Sequence, residues 1–267
     1  LDIFLTKTLR ADIFVNRDRS EFTKLYFKNV PASKVAYEFK ATTFAYSRGI
    51  PAARALKEIQ KAGRFGIVLN YEQGYNLADF LRANPLLIFK YAKKTAQLHL
   101  QIHTQIAKPL IAQEYSLSNS LDYALRNYPN LNINKQQLLN SLIGEVARLC
   151  HCDFSPDNIL VNARSKKLIA IDWADASNGT PLYDVARTIL LIQSPTSYKK
   201  KSILKQWIGK YGALLFTFFY LKHYKKHSNL SFKNFRSIQL LTHVIRLNSN
   251  IAYEEDWLLK RIKKMTI

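Results

Sequence analysis

Cysteine is nearly absent: the chain has two, Cys150 and Cys152, and they stand two positions apart. Residues this close cannot staple distant parts of a fold, so a disulfide framework is excluded and a reducing compartment is expected. Cys150-His151-Cys152 also lacks the ligand spacing of a zinc site, and no second cluster accompanies it. Long apolar runs are missing as well. The longest, Tyr211 to Leu221, is about half of a membrane span, so it is expected to form a buried helix. No secretory leader is expected, because the chain opens on Leu1-Asp2 without a basic segment and an apolar core. A cytoplasmic location follows as an expectation. Repeats and low-complexity segments are absent too.

Acidic residues are scarce. The 267 residues carry 19 Asp and Glu against 40 Lys and Arg, a formal charge of +21. The excess is uneven: residues 199–267 hold 15 basic and 3 acidic side chains, a net +12. Such a field suits an anionic partner at the C-terminal region, with "KHYKKH" and "LLKRIKK" as candidate segments, or it is a solvated lysine-rich surface. With 48% hydrophobic residues, the chain can bury one large core or two smaller ones.

Periodicity places strands first and helices later. "DIFV" (Asp12–Val15) and "FTKLYF" (Phe22–Phe27) are rich in β-branched and aromatic residues and flank the turn-type cluster "NRDRS". Period 2 puts Phe22, Lys24 and Tyr26 on one face. A helix follows from Pro31 and ends at Gly49, with Glu38 in its middle. "FGIVLN" (Phe65–Asn70) reads as a buried strand and "YEQG" as a turn after it. Leu87–Gln105 is the clearest amphipathic helix, with Leu87, Tyr91, Thr95, Leu98 and Ile102 on one face. His99 and His103 are spaced i, i+4, but no Glu motif accompanies them, so packing is the expected role. A second helix is predicted over Lys135–Arg148, and another over Leu182–Ile192. The remainder to Ile267 reads as helical throughout. This order predicts an α+β fold with a small N-terminal antiparallel sheet lobe (residues 1–70) and a larger, mainly helical C-terminal lobe (residues 71–267).

The chemistry concentrates in "LCHCDFSPDNILVN" and the residues after it. "ILVN" and "KLIAI" form a predicted hairpin bracketed by Asp153 and Asn158 before it and Asp172 after it. A two-stranded ribbon returns its ends to nearly the same place. Asn158 and Asp172 should therefore lie together and offer oxygen ligands of the kind Mg²⁺ prefers. Asp153 is then placed to accept a proton from an attacking hydroxyl. The order matches the protein-kinase arrangement of a catalytic Asp, an Asn after a four-residue spacer, and a later metal Asp. Lys24 on an early strand and Glu38 on the next helix supply the ion pair of that arrangement.

"HCDFSPDNILVN…AIDWADASNGTPLYDVARTILL" closely resembles the aminoglycoside phosphotransferase and choline kinase superfamily, which has a protein-kinase-like fold. The resemblance covers about residues 6–195 and is strongest from Leu149 to Leu191. It implies Asp153 as catalytic base and Asn158 and Asp172 as Mg²⁺ ligands. Lys24, oriented by Glu38, would bind the phosphates of ATP or GTP, and Asn70 and Glu72 would offer backbone groups to the base. Asp184 would brace the catalytic loop through backbone bonds, and His151 would be a brace as well. The chain departs from the pattern in three places, one of them Ser155, where the family motif often has His or Asn. "TKTLRADIF" (Thr6–Phe14), where a glycine-rich phosphate loop is expected, has no glycine, and Cys152 stands where the family has Gly. The expected activity is transfer of the γ-phosphoryl group to a small-molecule hydroxyl. The alternatives are a kinase acting on a protein or an RNA-associated target, and a non-catalytic nucleotide-binding module.

Overall fold

The computed structural model describes residues 2–144, 146–195 and 203–266. In chain order the elements are β1 (Ile3–Lys7), β2 (Ala11–Val15), β3 (Glu21–Tyr26), α1 (Ala32–Ser47), β4 (Ala55–Lys61), β5 (Arg64–Asn70), β6 (Gly74–Asn76), α2 (Leu77–Ala83), α3 (Ile88–His103), α4 (Gln113–Asn127), α5 (Lys135–Asn140), β7 (Arg148–Cys150), β8 (Ile159–Asn162), β9 (Leu168–Ala170), β10 (Ser177–Gly179), α6 (Pro181–Gln193), α7 (Ile203–His227), α8 (Phe235–Arg246) and α9 (Ala252–Thr266). The fold is α+β, with an N-terminal antiparallel sheet and a mainly helical C-terminal part. The chain forms two compact units, Leu1–Ala83 with Pro156–Ala176 and Asn84–Ser155 with Ser177–Ile267. The first unit thus runs past residue 70 and includes the ribbon that carries Asn158 and Asp172.

In the first unit the sheet order is β1-β2-β3-β5-β4, antiparallel throughout. Its core is built from Ala11, Tyr26, Val35, Ala53, Ile67 and Leu69, with Phe22, Val30 and Phe39 packed around it. α1 starts after Pro31, whose ring pre-sets an entry conformation, and closes at Gly49 with φ +72°. There the amide of Gly49 bonds Tyr46 O and that of Ile50 bonds Ala45 O, an ending that only a residue at ease in the left-handed region completes without strain. The helix turns Val35, Glu38, Ala41, Thr42 and Ala45 inward. A second, three-stranded sheet has the order β6-β8-β9. Its β8-β9 pair is the predicted ribbon, and β6 starts at Gly74, the last residue of the predicted turn.

The second unit is helical around a small β7-β10 pair, in which Cys150 faces Ser177 and Arg148 faces Gly179. α3 packs along α7, α6 on α8, and α8 on α9. Two expectations are corrected here. The helix predicted over Lys135–Arg148 covers only Lys135–Asn140; the chain turns through Gly144 at φ +92°, and Arg148 enters β7. The apolar run Tyr211–Leu221 lies on α7, but it is buried on one side only: Phe216 and Tyr220 are inside, while Tyr211, Leu214, Leu215 and Phe218 face solvent. No helix among the described residues is long and apolar enough to cross a membrane.

Candidate active site

Lys24 sits on β3 opposite Ile67 of β5, so the strand register fixes where its stem starts. Its Nζ lies 2.9 Å from Glu38 Oε1 on α1 and 3.1 Å from Asp172 Oδ1. Burial opposes the ammonium charge, yet Glu38 and then Asp172 outweigh it and hold the Lys24 pKa above its ordinary value. Glu38 is buried, and burial pushes its carboxyl upward against the pull of Lys24. The Tyr26 hydroxyl donates to the same carboxylate. Lys24 and Tyr26 therefore share a strand face, as period 2 predicts, and both are aimed at α1.

The ribbon closes on itself. Ile159 faces Ala170, and the amide of Ile171 donates to Asn158 O at 3.0 Å. Asn158 and Asp172 thus flank a hydrogen-bonded end of one hairpin. Asp172 has φ +62°, a left-handed conformation that is strained for a non-glycine residue and turns the chain out of the strand. Trp173 after it is fully buried and donates from Nε1 to Ala170 O at 3.2 Å, which anchors the turn. A carboxylate and an amide at a closed ribbon end, with Asp172 partly exposed, are hard oxygen donors that fit Mg²⁺.

Asn70 ends β5, and its amide is engaged, donating to Arg54 O at 2.9 Å. Glu72 follows in irregular chain, partly buried. The β1-β2 turn explains how a loop without glycine is closed. Thr8 Oγ1 accepts from the amides of Arg10 at 3.3 Å and Ala11 at 3.0 Å, and it donates to Ala11 O at 2.9 Å. Amides that a glycine-rich loop would direct at phosphate are turned onto a side chain of the loop itself. Lys7 lies over the Phe27 ring at 5.0 Å.

In the second unit Asp153 is half-buried on the loop after β7. The loop is held by Asp184 of α6, which accepts from the amides of His151 at 2.6 Å and Cys152 at 3.0 Å, the backbone bonds that the resemblance implies. His151 Nδ1 accepts from the Asp153 amide at 3.3 Å, and so it too braces the loop. Cys152 adopts φ +61° where the family has Gly. The strain is held from every side. Besides the bond to Asp184, Arg187 Nε donates to Cys152 O, and the thiol lies 3.1 Å from Gln113 Nε2 and 3.2 Å from Ser177 Oγ.

Asp184 is fully buried and also meets two imidazoles. His99 Nε2 is 3.1 Å and His103 Nε2 is 3.3 Å from its Oδ2, the former off line for a hydrogen bond. The other ring nitrogens meet tyrosine hydroxyls, His99 with Tyr220 at 2.7 Å and His103 with Tyr224 at 2.6 Å. Burial alone would raise the Asp184 carboxyl, but the imidazoles, His99 first, hold it well below the carboxylate range. Burial keeps His99 neutral, with its pKa pushed down to about 4. Packing was the expected role of the two histidines, and their place in this network is what the sequence left unseen. Gln113, Ser177 and Arg187 went unnoticed as well, since no local pattern marks them.

Residues 13–200 match the phosphotransferase enzyme family. The chain belongs to this family. A search of curated proteins gives no significant match. Solved structures share the fold at low identity. A thermostable aminoglycoside phosphotransferase APH(4)-Ia, solved as a ternary complex with AMP-PNP and hygromycin B, superposes with TM-score 0.65 at 15% identity, over 99% of this chain and 92% of that one. An aminoglycoside-3'-phosphotransferase of type VIII gives 0.61 at 14% identity, over 92% and 93%. APH(3'')-Id from Streptomyces rimosus gives 0.54 at 18% identity, over 91% and 92%. The chain is a phosphotransferase of aminoglycoside-phosphotransferase-like, kinase-type fold, in the superfamily that its motifs resemble.

Proposed function

We propose that this phosphotransferase uses ATP or GTP with Mg²⁺ and transfers the γ-phosphoryl group to a hydroxyl of a small molecule. The observation that carries the reading is Lys24 held between Glu38 and Asp172 in one unit, beside a ribbon closed at Asn158. Lys24 is oriented by Glu38 to pair with the nucleotide phosphates. Mg²⁺, held by Asn158 and Asp172, would supply charge neutralisation on the transferring group. Backbone groups of Asn70 and Glu72 receive the base. Asp153 orients the acceptor hydroxyl and takes its proton, and the bonds from Asp184 and His151 keep its loop in place. Catalysis is then positioning and electrostatics.

The structural relatives include a complex with hygromycin B, and aminoglycosides are cations. The C-terminal excess of +12 favours a neutral or acidic acceptor such as a sugar, an acidic metabolite or a lipid head group. One observation supports a second reading, a nucleotide-binding module without turnover: the Thr8 hydroxyl occupies the amides of the phosphate-side turn. ATP consumption measured with pools of sugars, amino alcohols, nucleosides and aminoglycosides separates the two. The kinase reading expects stimulation by one pool, lost in Asp153→Ala. Nucleotide binding with equal inertness of both proteins supports the module. Asp172→Ala should abolish the Mg²⁺ dependence of nucleotide binding, and an unchanged dependence would reject that ligand.

A further inference from the structure

α7 carries an apolar face that nothing among the described residues covers. Trp207, Ile208, Tyr211, Leu214, Leu215 and Phe218 recur at the spacing of one helical stripe, and each is between 41% and 62% exposed. The opposite side of α7 is ordinary core, with Phe216, Tyr220 and Tyr224 buried against α3 and its neighbours. The stripe runs about 16 Å, at 1.5 Å per residue. Beyond Phe218 the same face continues as Lys222, Lys225 and Lys226, all exposed. Lys210 lies over the Trp207 ring at 6.0 Å and Lys222 over the Phe218 ring at 5.9 Å, so ammonium groups border the aromatics. The face extends onto α3, where Phe89 is exposed and meets Phe219 edge-on at 5.2 Å. α3 adds Lys90, Lys93 and Lys94, and neither helix contains an Asp or Glu. Lys199–Lys201, which belong to the basic excess, lie outside the described residues.

Isolated exposed apolar residues need no explanation, but a continuous stripe of this length marks a contact surface. We propose that this face of α7 docks on the surface of an anionic phospholipid bilayer. An aromatic and leucine stripe framed by lysines is the chemistry of a helix lying in the interfacial plane, with rings at the head-group level and ammonium groups on lipid phosphates. Charge selects this occupant over a second copy of the chain: two copies would bring +21 against +21, with Lys210 and Lys222 at the seam. The inference is independent of the reaction proposed above.

The test is sedimentation of the full chain with vesicles of equal phosphatidylglycerol and phosphatidylcholine, and with phosphatidylcholine alone. Binding is expected only to the anionic vesicles, weakening steeply with added salt. Trp207→Glu together with Phe218→Glu should lower vesicle affinity at least about tenfold. Lys222→Gln, Lys225→Gln and Lys226→Gln together should lower it about as much and flatten the salt dependence. Every substituted side chain is exposed, and circular dichroism checks that the variants fold. In the wild type Trp207 emission should shift blue on anionic vesicles, and Trp207→Phe should lose that shift. No binding at low salt, equal binding to both vesicle types, or full binding by both variants would overturn the proposal. So would a dimer in light scattering that the Glu pair dissolves, which would give the face to a second copy.

Discussion

Replacing Asp184 with Asn should unfold the chain at distinctly lower temperature and loosen the loop that carries Asp153. The side chain is fully buried, and its two oxygens differ in task. Oδ1 takes the Cys152 amide at 3.0 Å, while Oδ2 takes the His151 amide at 2.6 Å and faces both imidazoles. An Asn amide must put its NH₂ group on one of these sides. On the first it meets the Cys152 N–H, donor against donor; on the second it meets the His151 N–H. Either way one buried amide loses its acceptor, at about 1–3 kcal/mol, and the remaining bond loses its charge assistance, roughly another 1 kcal/mol. A total of about 3 kcal/mol is a large share of the 5–15 kcal/mol typical of whole proteins. For a chain of this size it corresponds to a fall in Tm of about 6–12 °C. Thermal unfolding followed by circular dichroism measures the fall, and hydrogen exchange at His151 and Cys152 measures the loosening. A midpoint within about 2 °C of wild type, with both amides still protected, would mean that the loop does not hang on Asp184 and the reasoning is wrong.

Lys24→Ala should weaken nucleotide affinity or turnover at least about tenfold, because it removes the ammonium and leaves the buried Glu38 without its ion-pair partner; normal kinetics would assign the phosphates to another lysine. Cys152→Gly should leave stability within about 1 kcal/mol, since relief of the left-handed strain at φ +61° offsets the lost contacts of the thiol with Gln113 and Ser177; chemical denaturation decides it, and a loss above about 3 kcal/mol would mean that no strain is stored there. Stability should fall as pH drops from about 6.5 to about 4. Burial lowers His99 and His243 each to about 4 in the folded chain, so across this window the unfolded chain binds more protons and is favoured. Each contributes about 1.4 kcal/mol per pH unit, and a flat profile in that range would refute neutral burial.

The candidate site was more legible than the sheet. Lys24, Glu38, Asp153, Asn158 and Asp172 sit in local patterns: an alternating strand, a helix between Pro31 and Gly49, and a hairpin bracketed by oxygen-bearing residues. Short polar strands were not legible. β4, "ALKEIQK", has no alternation to read and is a strand only because β5 offers it a register. β7 and β10 have three residues each and exist by pairing with each other, which is why Arg148 reads as the end of a helix.

Backbone preference, side-chain period and motif order act over a few residues, so the sequence by itself determined the α+β class, the family and the order of the chemical groups. Tertiary structure decided the rest. Tyr220 meets His99 from 121 positions away in sequence, and Asp184 reaches His151 from 33 positions away. It also decided that one apolar side of α7 stays exposed among the described residues, because burial depends on which helix faces are packed and not on how apolar a run is.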